Sequence, residues 1–461
     1  MKRLIIIGMI TLALVSAALG AWWWSAPSWP AVPTAINDAR PGSLVTLWPK
    51  LSGLDQPKTY LVVMQNNDEL RPSGGFIGVY GLLTVQRGQI ISWTTADSYS
   101  LDRPAEEYLR VDPPAAIREY LTKYWWFRDA NWSPDWPTSA EQLLWFYRQE
   151  RGAGRPTGVI AFDPTVIERL LDITGPLTAE DGTKYTAENF SDALQYEVEQ
   201  GYIERGVAKV DRKDIINDLG QSLVTKIKTL SIPQLFTAMN TLEQALTEKH
   251  LLLYDTDPTL QAEYAQRGWA GAIRSTLANS DYLMVVDANM AALKTDRVVD
   301  KTIRYQVQTN DAGQAIALVT IHYRHTATKH DYRTSRLRTY TRVYAPAGSA
   351  LRGVWGAKGN DRGDAPSQPL PPDVSEEAGK AVFGVFTTVE VNQEQTLIFE
   401  YQLPASVAQA AANGGYRLLV QKQAGTIGHP LTVKVRLPGS TIDVETDLRL
   451  DRQLTPINYV D

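Results

Sequence analysis

The spacing of apolar residues changes along the chain, and this change restricts the fold more than any other feature. Up to about residue 292, apolar runs such as Tyr60–Gln65 and Gly158–Phe162 alternate with segments whose apolar residues recur every three or four positions. This alternation predicts a layered α/β or α+β domain. From about residue 293 onward, only short alternating runs remain, such as "KTIRYQVQT" and "QTLIFEYQLP". Such runs predict an all-β, sandwich-like domain.

The N-terminus adds a second constraint, because Leu4–Ala21 carries no charged residue. A helix of this length rises about 27 Å, close to the hydrocarbon thickness of a bilayer. Lys2 and Arg3 before it and Trp22–Trp24 after it predict a single-pass membrane anchor, with the rest of the chain outside the cytoplasm. Small residues at Ala18–Ala21 also fit a cleaved signal peptide, and that alternative leads to the same compartment.

These patterns divide the chain into four segments. Residues 1–24 form a cytoplasmic stub and transmembrane helix, and 25–57 a proline-rich linker. Residues 58–292 are the predicted α/β ligand-binding domain, and 293–461 the β-sandwich-like domain. The formal net charge of -5 predicts that nucleic acid is not a partner. Cysteine is absent, which excludes disulfides and thiolate nucleophiles.

The polar loop after the first predicted strand, "QNNDELRPSGGFIG", is one candidate ligand site. A paired glycine permits close backbone approach, and an extended arginine before proline can present its guanidinium to an anion. The candidate ligand-binding residues here are Asn66, Asn67, Gly74 and Gly75, together with Arg71. The alternative is a polar turn in which the arginine pairs with a neighbouring acid.

The segment Trp126–Ser139, "WFRDANWSPDWPTS", is a second candidate, because charged and aromatic residues are concentrated before a predicted helix. A helix N-terminus attracts anions, and tryptophan rings can stack on a sugar or an isoprenoid chain. The candidate residues are Arg128, Asp129, Asn131, Trp132 and Trp136. The alternative is an Arg-Asp salt bridge, with the tryptophans wedging the loop onto the core.

A divalent cation is the third expectation. "DSYSLD" begins at Asp97 and places two carboxylates, with hydroxyl groups between them, at the end of a predicted strand. With Asp129 and Asp135 it supplies oxygen ligands for Mg²⁺. The alternative for this stretch is a solvated strand end.

Several blocks of the sequence also resemble a known family. "YLVVMQNNDELRPSGGFIGVYG", "FRDANWSPDWPTSAEQLLWFY", "GVIAFDPTVIERLLDITGPL", "DYLMVVDANMAALKTD" and "RVYAPAGSALRG" are similar, in this order, to the bacterial family catalogued as domain of unknown function 4012. The α/β part of that family distantly resembles the LytR-CpsA-Psr phosphotransferases. Those membrane-anchored enzymes transfer glycopolymers from polyprenyl pyrophosphate to the cell wall.

The second resemblance implies roles for individual residues. Arg71 stands near a pyrophosphate-binding arginine, and Arg212 lies in the stretch similar to a late arginine-rich helix. Those enzymes have a Lys/Arg-x-Asn motif before a helix, and this motif is matched here by Arg128, Asp129 and Asn131. The resemblance therefore implies catalytic roles for Arg71, Arg128 and Asp129. The Pro-Arg-Asp element is replaced here by Ala96–Ser98, so one arginine of that family has no counterpart.

Two hypotheses about function follow. In the first, the protein acts on a polyprenyl-pyrophosphate-linked glycan by phosphotransferase-like chemistry, with Arg71 and Arg128 on the phosphates and Mg²⁺ between them. In the second, it is a non-catalytic envelope module that binds a polyprenyl phosphate or cell-wall glycan. Both place it at the cell membrane, and both require Arg71 and Arg128 to face one cavity.

Overall fold

The computed structural model describes residues 44–54, 56–179, 181–207, 214–360 and 368–456. The predicted anchor, most of the predicted linker and Arg212 lie outside these ranges. Within them, no helix is both long enough and apolar enough to cross a bilayer. The described chain has a mixed α/β architecture, as predicted.

The first half of the chain is built on a five-stranded sheet in the order β3-β2-β1-β4-β7. β1 runs parallel to β4 and antiparallel to β2, so both parallel strands end at the same edge of the sheet. A short hairpin, β5 and β6, lies outside this sheet. The strands are β1 (Lys58–Asn66), β2 (Phe76–Gln86), β3 (Gln89–Asp97), β4 (Gly158–Phe162), β5 (Leu177–Thr178), β6 (Lys184–Tyr185) and β7 (Leu251–Asp255).

Helices cover both faces of this sheet, and the side chains of β1 alternate between them. Tyr60 and Val62 join one buried cluster, while Leu61 and Val63 join the other. The helices are α1 (Leu44–Leu51), α2 (Ser98–Ala105), α3 (Ala115–Tyr120), α4 (Trp136–Gln149), α5 (Pro164–Thr174), α6 (Phe190–Tyr196), α7 (Tyr202–Glu204), α8 (Asp214–Lys228), α9 (Ile232–Thr247) and α10 (Pro258–Gln266). One 3₁₀ turn, Phe127–Asp129, precedes α4, and a π-helical turn, Glu197–Gly201, follows α6.

Two helix starts could be predicted from capping residues in the sequence. Asp163 and Pro164 predict the start of α5, where the Asp163 carboxylate accepts a hydrogen bond from the Thr165 amide and Pro164 occupies the first turn. Thr138 and Glu141 match a capping box, which predicts that α4 starts at Thr138, but this helix begins earlier. The Asp135 carboxylate caps the Thr138 amide instead, so the helix already starts at Trp136.

The second half consists of two six-stranded sheets, ordered β12-β15-β10-β9-β17-β18 and β13-β14-β11-β8-β16-β19. Apolar side chains from both sheets form one shared core, the arrangement of a β-sandwich. The elements are β8 (Asp281–Asn289), β9 (Val299–Thr309), β10 (Ala315–His325), β11 (Leu337–Pro346), β12 (Ala350–Trp355), β13 (Asp373–Glu377), β14 (Lys380–Val389), β15 (Glu394–Gln402), α11 (Ala405–Ala412), β16 (Leu418–Gln421), β17 (Pro430–Leu437), β18 (Ser440–Asp447) and β19 (Arg452–Leu454).

The sandwich starts earlier than predicted. The boundary at residue 293 assigned β8 to the α/β domain, whereas β8 pairs with β11 and β16 of the sandwich. All nine residues of β8 are buried. A strand that is buried on both faces fits the centre of either sheet, and only its pairing partners decide between them.

The two halves are in direct contact beside the carboxyl edge of the α/β sheet. A Cβ atom on Gly425 would lie only 2.2 Å from the Gly74 carbonyl oxygen, so glycine permits this approach. On the other side, the rings of Tyr120 and Phe386 stack with centroids 4.2 Å apart. These contacts hold the sandwich against the loop that follows β1.

Candidate functional site

A cavity of about 550 Å³ opens at the carboxyl edge of the α/β sheet. Met64 and Phe162 line it at the ends of β1 and β4, and Phe76 lines it at the start of the antiparallel β2. In open α/β sheets, ligands bind in the crevice outside the carboxyl ends of parallel strands. The volume falls within the range of about 300–1,000 Å³ common for ligand pockets.

One wall of this cavity is apolar. It is formed by the helices on one face of the sheet, mainly α5, α6 and α8, with the π turn and β5. The apolar side chains that line it are Ile167, Leu177, Phe190, Leu194, Val198, Ile216, Leu219 and Leu223. A continuous apolar wall of this kind can hold a hydrocarbon chain.

Arg71 and Arg128 both line the cavity, so the two guanidinium groups approach each other as both hypotheses require. They share one acid: Arg71 Nη2 lies 3.1 Å from Asp129 Oδ1, and Arg128 Nε lies 3.6 Å from Asp129 Oδ2. The Asp129 carboxylate therefore lies between the two guanidinium groups at the cavity.

Arg71 has its hydrogen-bonding capacity filled by the protein. Nε and Nη2 donate to Asp129 Oδ1, at 3.3 and 3.1 Å, and Nη2 also donates to Glu69 Oε1 at 3.3 Å. Nη1 donates to the carbonyl oxygens of Leu70 and Asn289, at 3.2 and 3.0 Å. The residue is 3% exposed, and each of its five N–H groups has an acceptor. Arg71 therefore fixes its loop to the sandwich, which does not fit the predicted phosphate-clamping role.

Arg128 is the more available cation. Its Nη1 donates to Asp102 Oδ2, and its guanidinium lies 4.7 Å from the centroid of the Tyr99 ring, which also lines the cavity. The side chain is 15% exposed, and its Nη2 donates to no acceptor among the described residues. An anion in the cavity can therefore use a donor of Arg128 without displacing a protein group.

A buried acid pair lies behind Arg128. Asp102 Oδ1 and Glu150 Oε2 are both buried and accept no hydrogen bond from a donor in the described chain. Burial raises the pKa of Asp102 to about 6, and burial together with Asp102 raises the pKa of Glu150 to about 9. A proton shared between the two carboxyl groups satisfies both oxygens. Glu150 Oε1 also accepts from the Phe127 amide at 3.0 Å, so the pair supports the turn that carries Arg128.

Asn131 has a structural role. It is fully buried, and its Nδ2 donates to Gln65 Oε1 at 2.8 Å and to the Gly75 carbonyl oxygen at 2.9 Å. A Cβ on Gly75 would lie 2.3 Å from the Asn66 backbone, and Gly74 has a φ of +140°. The predicted ligand-binding roles of Asn131, Gly74 and Gly75 are replaced by this turn, and none of the three lines the cavity.

The two asparagines after β1 diverge. Asn66 lines the cavity and its Nδ2 donates to Gln195 Oε1 at 3.3 Å. Asn67 faces the sandwich and its Nδ2 donates to the Gly425 carbonyl oxygen at 3.0 Å. Of this predicted pair, only Asn66 can contact a ligand in this cavity.

The tryptophans of the 126–139 segment pack inside the protein. Trp136 is fully buried in the core between the sheet and α4. Trp132 packs against the sandwich, with its ring 5.9 Å from that of Tyr340 and 4.5 Å from the Arg342 guanidinium. Neither residue lines this cavity, and their ligand-stacking role stays a prediction. The alternative, a wedge that fixes the loop, describes them better.

The three predicted magnesium ligands do not form one site. Asp97 caps α2 by accepting from the Tyr99 amide at 3.0 Å. Asp135 caps α4 and accepts from the Ile273 amide at 2.8 Å, while Asp129 is held by the two arginines. Across the described ranges, no group of three acidic or histidine side chains is placed to hold a metal ion. The structure therefore does not bring these three carboxylates together, and a magnesium site stays a prediction.

Other polar residues of the cavity were missed in the sequence. Asp163 follows the parallel strand β4, so the strand-end argument applied to β1 would also have indicated it. Asp163 Oδ2 lies 2.7 Å from Nδ1 of His250. The two residues are so far apart in sequence that no sequence pattern predicts this contact. Tyr99, which lies inside the predicted cation-binding stretch but was given no role of its own, also lines the cavity, as does Lys294.

The charges of the lining limit the ligand. Three cationic residues, Arg71, Arg128 and Lys294, line the cavity. They are accompanied by five acidic residues, which are Asp68, Glu69, Asp129, Asp163 and Glu199. An excess of acid favours a head group that carries less negative charge than a pyrophosphate.

Comparisons with known proteins give one family and distant structural likenesses. No curated protein shows a significant match. The Lin1025 protein from Listeria innocua is 12% identical, with a TM-score of 0.26, over 47% of this chain and 78% of that chain. A "putative nutrient binding protein" from Legionella pneumophila is 10% identical, with a TM-score of 0.18, over 38% of this chain and 70% of that chain. Neither TM-score is high enough to establish a common fold.

The resemblance to the LytR-CpsA-Psr phosphotransferases stays a prediction. A family model described as "Protein of unknown function (DUF4012)" matches residues 55–198. This segment contains β1–β4, the loop of Arg71 and the turn of Arg128, and thus most of the polar side of the cavity. The family predicted from the sequence is therefore confirmed: residues 55–198 of this chain carry the DUF4012 region.

Proposed function

We propose that this protein is a membrane-anchored, extracytoplasmic envelope protein that binds an amphipathic lipid, such as a polyprenyl phosphate, without transferring its phosphoryl group. The observation that carries the proposal is a single cavity in which an apolar helical wall meets the available guanidinium of Arg128. The membrane attachment and compartment rest on the charge-free stretch Leu4–Ala21 and its flanking residues.

The apolar wall supports the lipid part of the ligand. Leu194 and Ile216 are partly exposed, whereas Leu219 and Leu223 lie deeper in the same wall. Covering apolar surface of this kind contributes about 25 cal/mol per Å². A hydrocarbon chain between α5, α6 and α8 would therefore supply most of the binding free energy.

The polar side supports a phosphate monoester as the head group. Arg128 offers an unused donor, and a hydrogen bond to a charged acceptor is worth about 1.5–3 kcal/mol. Asp129 already forms an ion pair with Arg71, and Glu69 already forms one with Lys294. One further anion of low charge can then be accommodated beside Arg128.

Binding without phosphoryl transfer is favoured by three features. The five N–H groups of Arg71 all have protein acceptors. Ala96–Ser98 replaces the Pro-Arg-Asp element of the phosphotransferases. The three predicted metal ligands cap helices or pair with arginines. Phosphoryl transfer depends on positioned cations around the transferred group, and these features supply few of them.

The test uses the full-length protein in detergent micelles, with a polyprenyl phosphate, the matching polyprenol and inorganic phosphate as probes. We expect the polyprenyl phosphate to bind about tenfold more tightly than the polyprenol, which corresponds to about 1.4 kcal/mol. Arg128→Gln should abolish this difference, and Leu194→Trp should weaken both lipids by filling the apolar wall. Arg436→Gln, at an exposed position of β17, is the matched control.

Equal affinities for the two lipids in the wild-type protein would contradict the role of Arg128. Failure of both lipids to bind, or an unchanged affinity in Leu194→Trp, would contradict the proposal as a whole. Circular dichroism of each variant establishes that the fold is retained.

A further inference from the structure

A second cavity, of about 640 Å³, lies between the α/β domain and the sandwich. The α/β domain contributes the loop after β1 together with parts of α5 and α6. The sandwich contributes β9, β10 and the loop that leads into β17. The cavity therefore exists only where the two domains meet.

The two cavities are neighbours. Asp68 and Ser191 line both of them. The chain also passes from one to the other within a single residue, since Pro164 lines the first cavity and Thr165 the second. A ligand held in the first cavity thus has a wall in common with the second.

The chemistry of the second cavity differs from that of the first. Most of the residues that line it have polar side chains, which carry hydroxyl, amide, carboxylate and guanidinium groups. Several charged groups neutralise each other: Arg297 Nη2 lies 2.6 Å from Asp192 Oδ1, and Arg324 pairs with Asp300. Paired ions keep their capacity for hydrogen bonds but contribute little net charge. Such a lining fits a neutral group rich in hydroxyls better than a phosphate.

His429 adds an unsatisfied group to this wall. Its Nε2 is buried and has no hydrogen-bond partner among the residues described. Burial, with the nearby ammonium groups of Lys301 and Lys422, lowers the pKa of His429 well below its usual value, so the ring is neutral. His429 therefore adds an uncharged side chain to the lining of this cavity.

We propose that the two cavities form one bipartite site for a glycolipid, with the hydrocarbon chain in the first cavity and a short neutral saccharide in the second. This inference rests on the proposed function, because the lipid must occupy the first cavity. It assigns to the sandwich a part of the ligand site, which explains why the sandwich packs directly on the loop after β1.

The experiment compares two probes on the full-length protein: a polyprenyl phosphate, and the same lipid carrying a neutral disaccharide on its phosphate. We expect the sugar-bearing lipid to bind about tenfold more tightly, the gain expected from one or two net hydrogen bonds. Thr302→Trp blocks the second cavity from an exposed position on β9 and should remove this gain without changing the affinity for the bare lipid. Gln308→Trp, on the same face of β9 but outside the cavity lining, is the control.

Equal affinities for the two lipids in the wild-type protein would overturn the inference and leave the proposed function standing. A Thr302→Trp variant that keeps the full preference for the sugar-bearing lipid would overturn it as well. If Thr302→Trp weakens both lipids while Gln308→Trp does not, the division into two subsites is wrong. Absence of binding by either lipid refutes the proposed function, and this inference with it.

Discussion

Arg71 provides the sharpest test of the site, because the sequence assigns it to the ligand whereas the structure assigns it to the protein. Arg71→Met keeps most of the side-chain volume and removes the charge. It leaves Asp129 and Glu69 without their shared donor, and the Leu70 and Asn289 carbonyl oxygens without the Arg71 donor.

Loss of one partner from a buried ion pair costs about 3–5 kcal/mol. Both acids keep a second cation here, since Asp129 lies 3.6 Å from Arg128 and Glu69 lies 3.3 Å from Lys294. This places the ion-pair cost near the lower end, to which the two carbonyl groups add about 1 kcal/mol each. We therefore expect Arg71→Met to lower the free energy of unfolding by about 4–5 kcal/mol.

The assay is denaturant unfolding of the full-length protein, combined with the lipid-binding measurement described above. Arg71→Lys serves as the control, because it keeps the charge but cannot reproduce five fixed donors, and should be intermediate in stability. Any loss of lipid affinity should follow the loss of folded protein. An Arg71→Met variant that unfolds like the wild type but no longer binds polyprenyl phosphate would refute the structural role and restore the phosphate-clamping role.

Two further predictions concern the surroundings of the cavity. Burial raises the pKa of Glu150 to about 9, so the folded state retains a proton that the unfolded state releases above pH of about 4. Between these values stability falls as pH rises, by up to about 1.4 kcal/mol per pH unit. Glu150→Gln should flatten this part of the stability curve relative to the wild type, and an unchanged curve would contradict the shared proton. Trp132→Ala should reduce the free energy of unfolding by about 2–3 kcal/mol by removing the contact with Tyr340 and Arg342, but should leave polyprenyl-phosphate affinity unchanged; selective loss of affinity would support ligand stacking.

Much of the local structure was predictable because it depends on residues that are close in sequence. The apolar run at Tyr60–Gln65 became the central strand β1, and Asp163 with Pro164 started α5. The family resemblance of residues 55–198 was also carried by local blocks. Both functional hypotheses required Arg71 and Arg128 to face one cavity, and both residues line it.

Predictions failed where the answer depended on a distant partner. The continuous apolar run Tyr282–Val286 predicts that β8 is buried, but the sheet to which β8 belongs depends on its pairing with β11 and β16. The concentration of aromatic and charged residues around Trp132 suggested a ligand site. The contact between Trp132 and Tyr340 of the sandwich instead gives this side chain a packing role, and the sequence does not reveal that contact.

The sequence by itself determined the elements, their order and the residue types that gather at the carboxyl edge of the sheet. The tertiary structure alone decided which partners the two arginines have. The acceptors of Arg71 include Asn289 of the sandwich, whereas Arg128 has one donor without an acceptor among the described residues. It also brought Asp102 and Glu150 together and formed the interdomain cavity. The physical reason is that propensity and periodicity act over a few residues. Saturation of a hydrogen-bonding group depends on every atom that folding brings within about 3 Å of it.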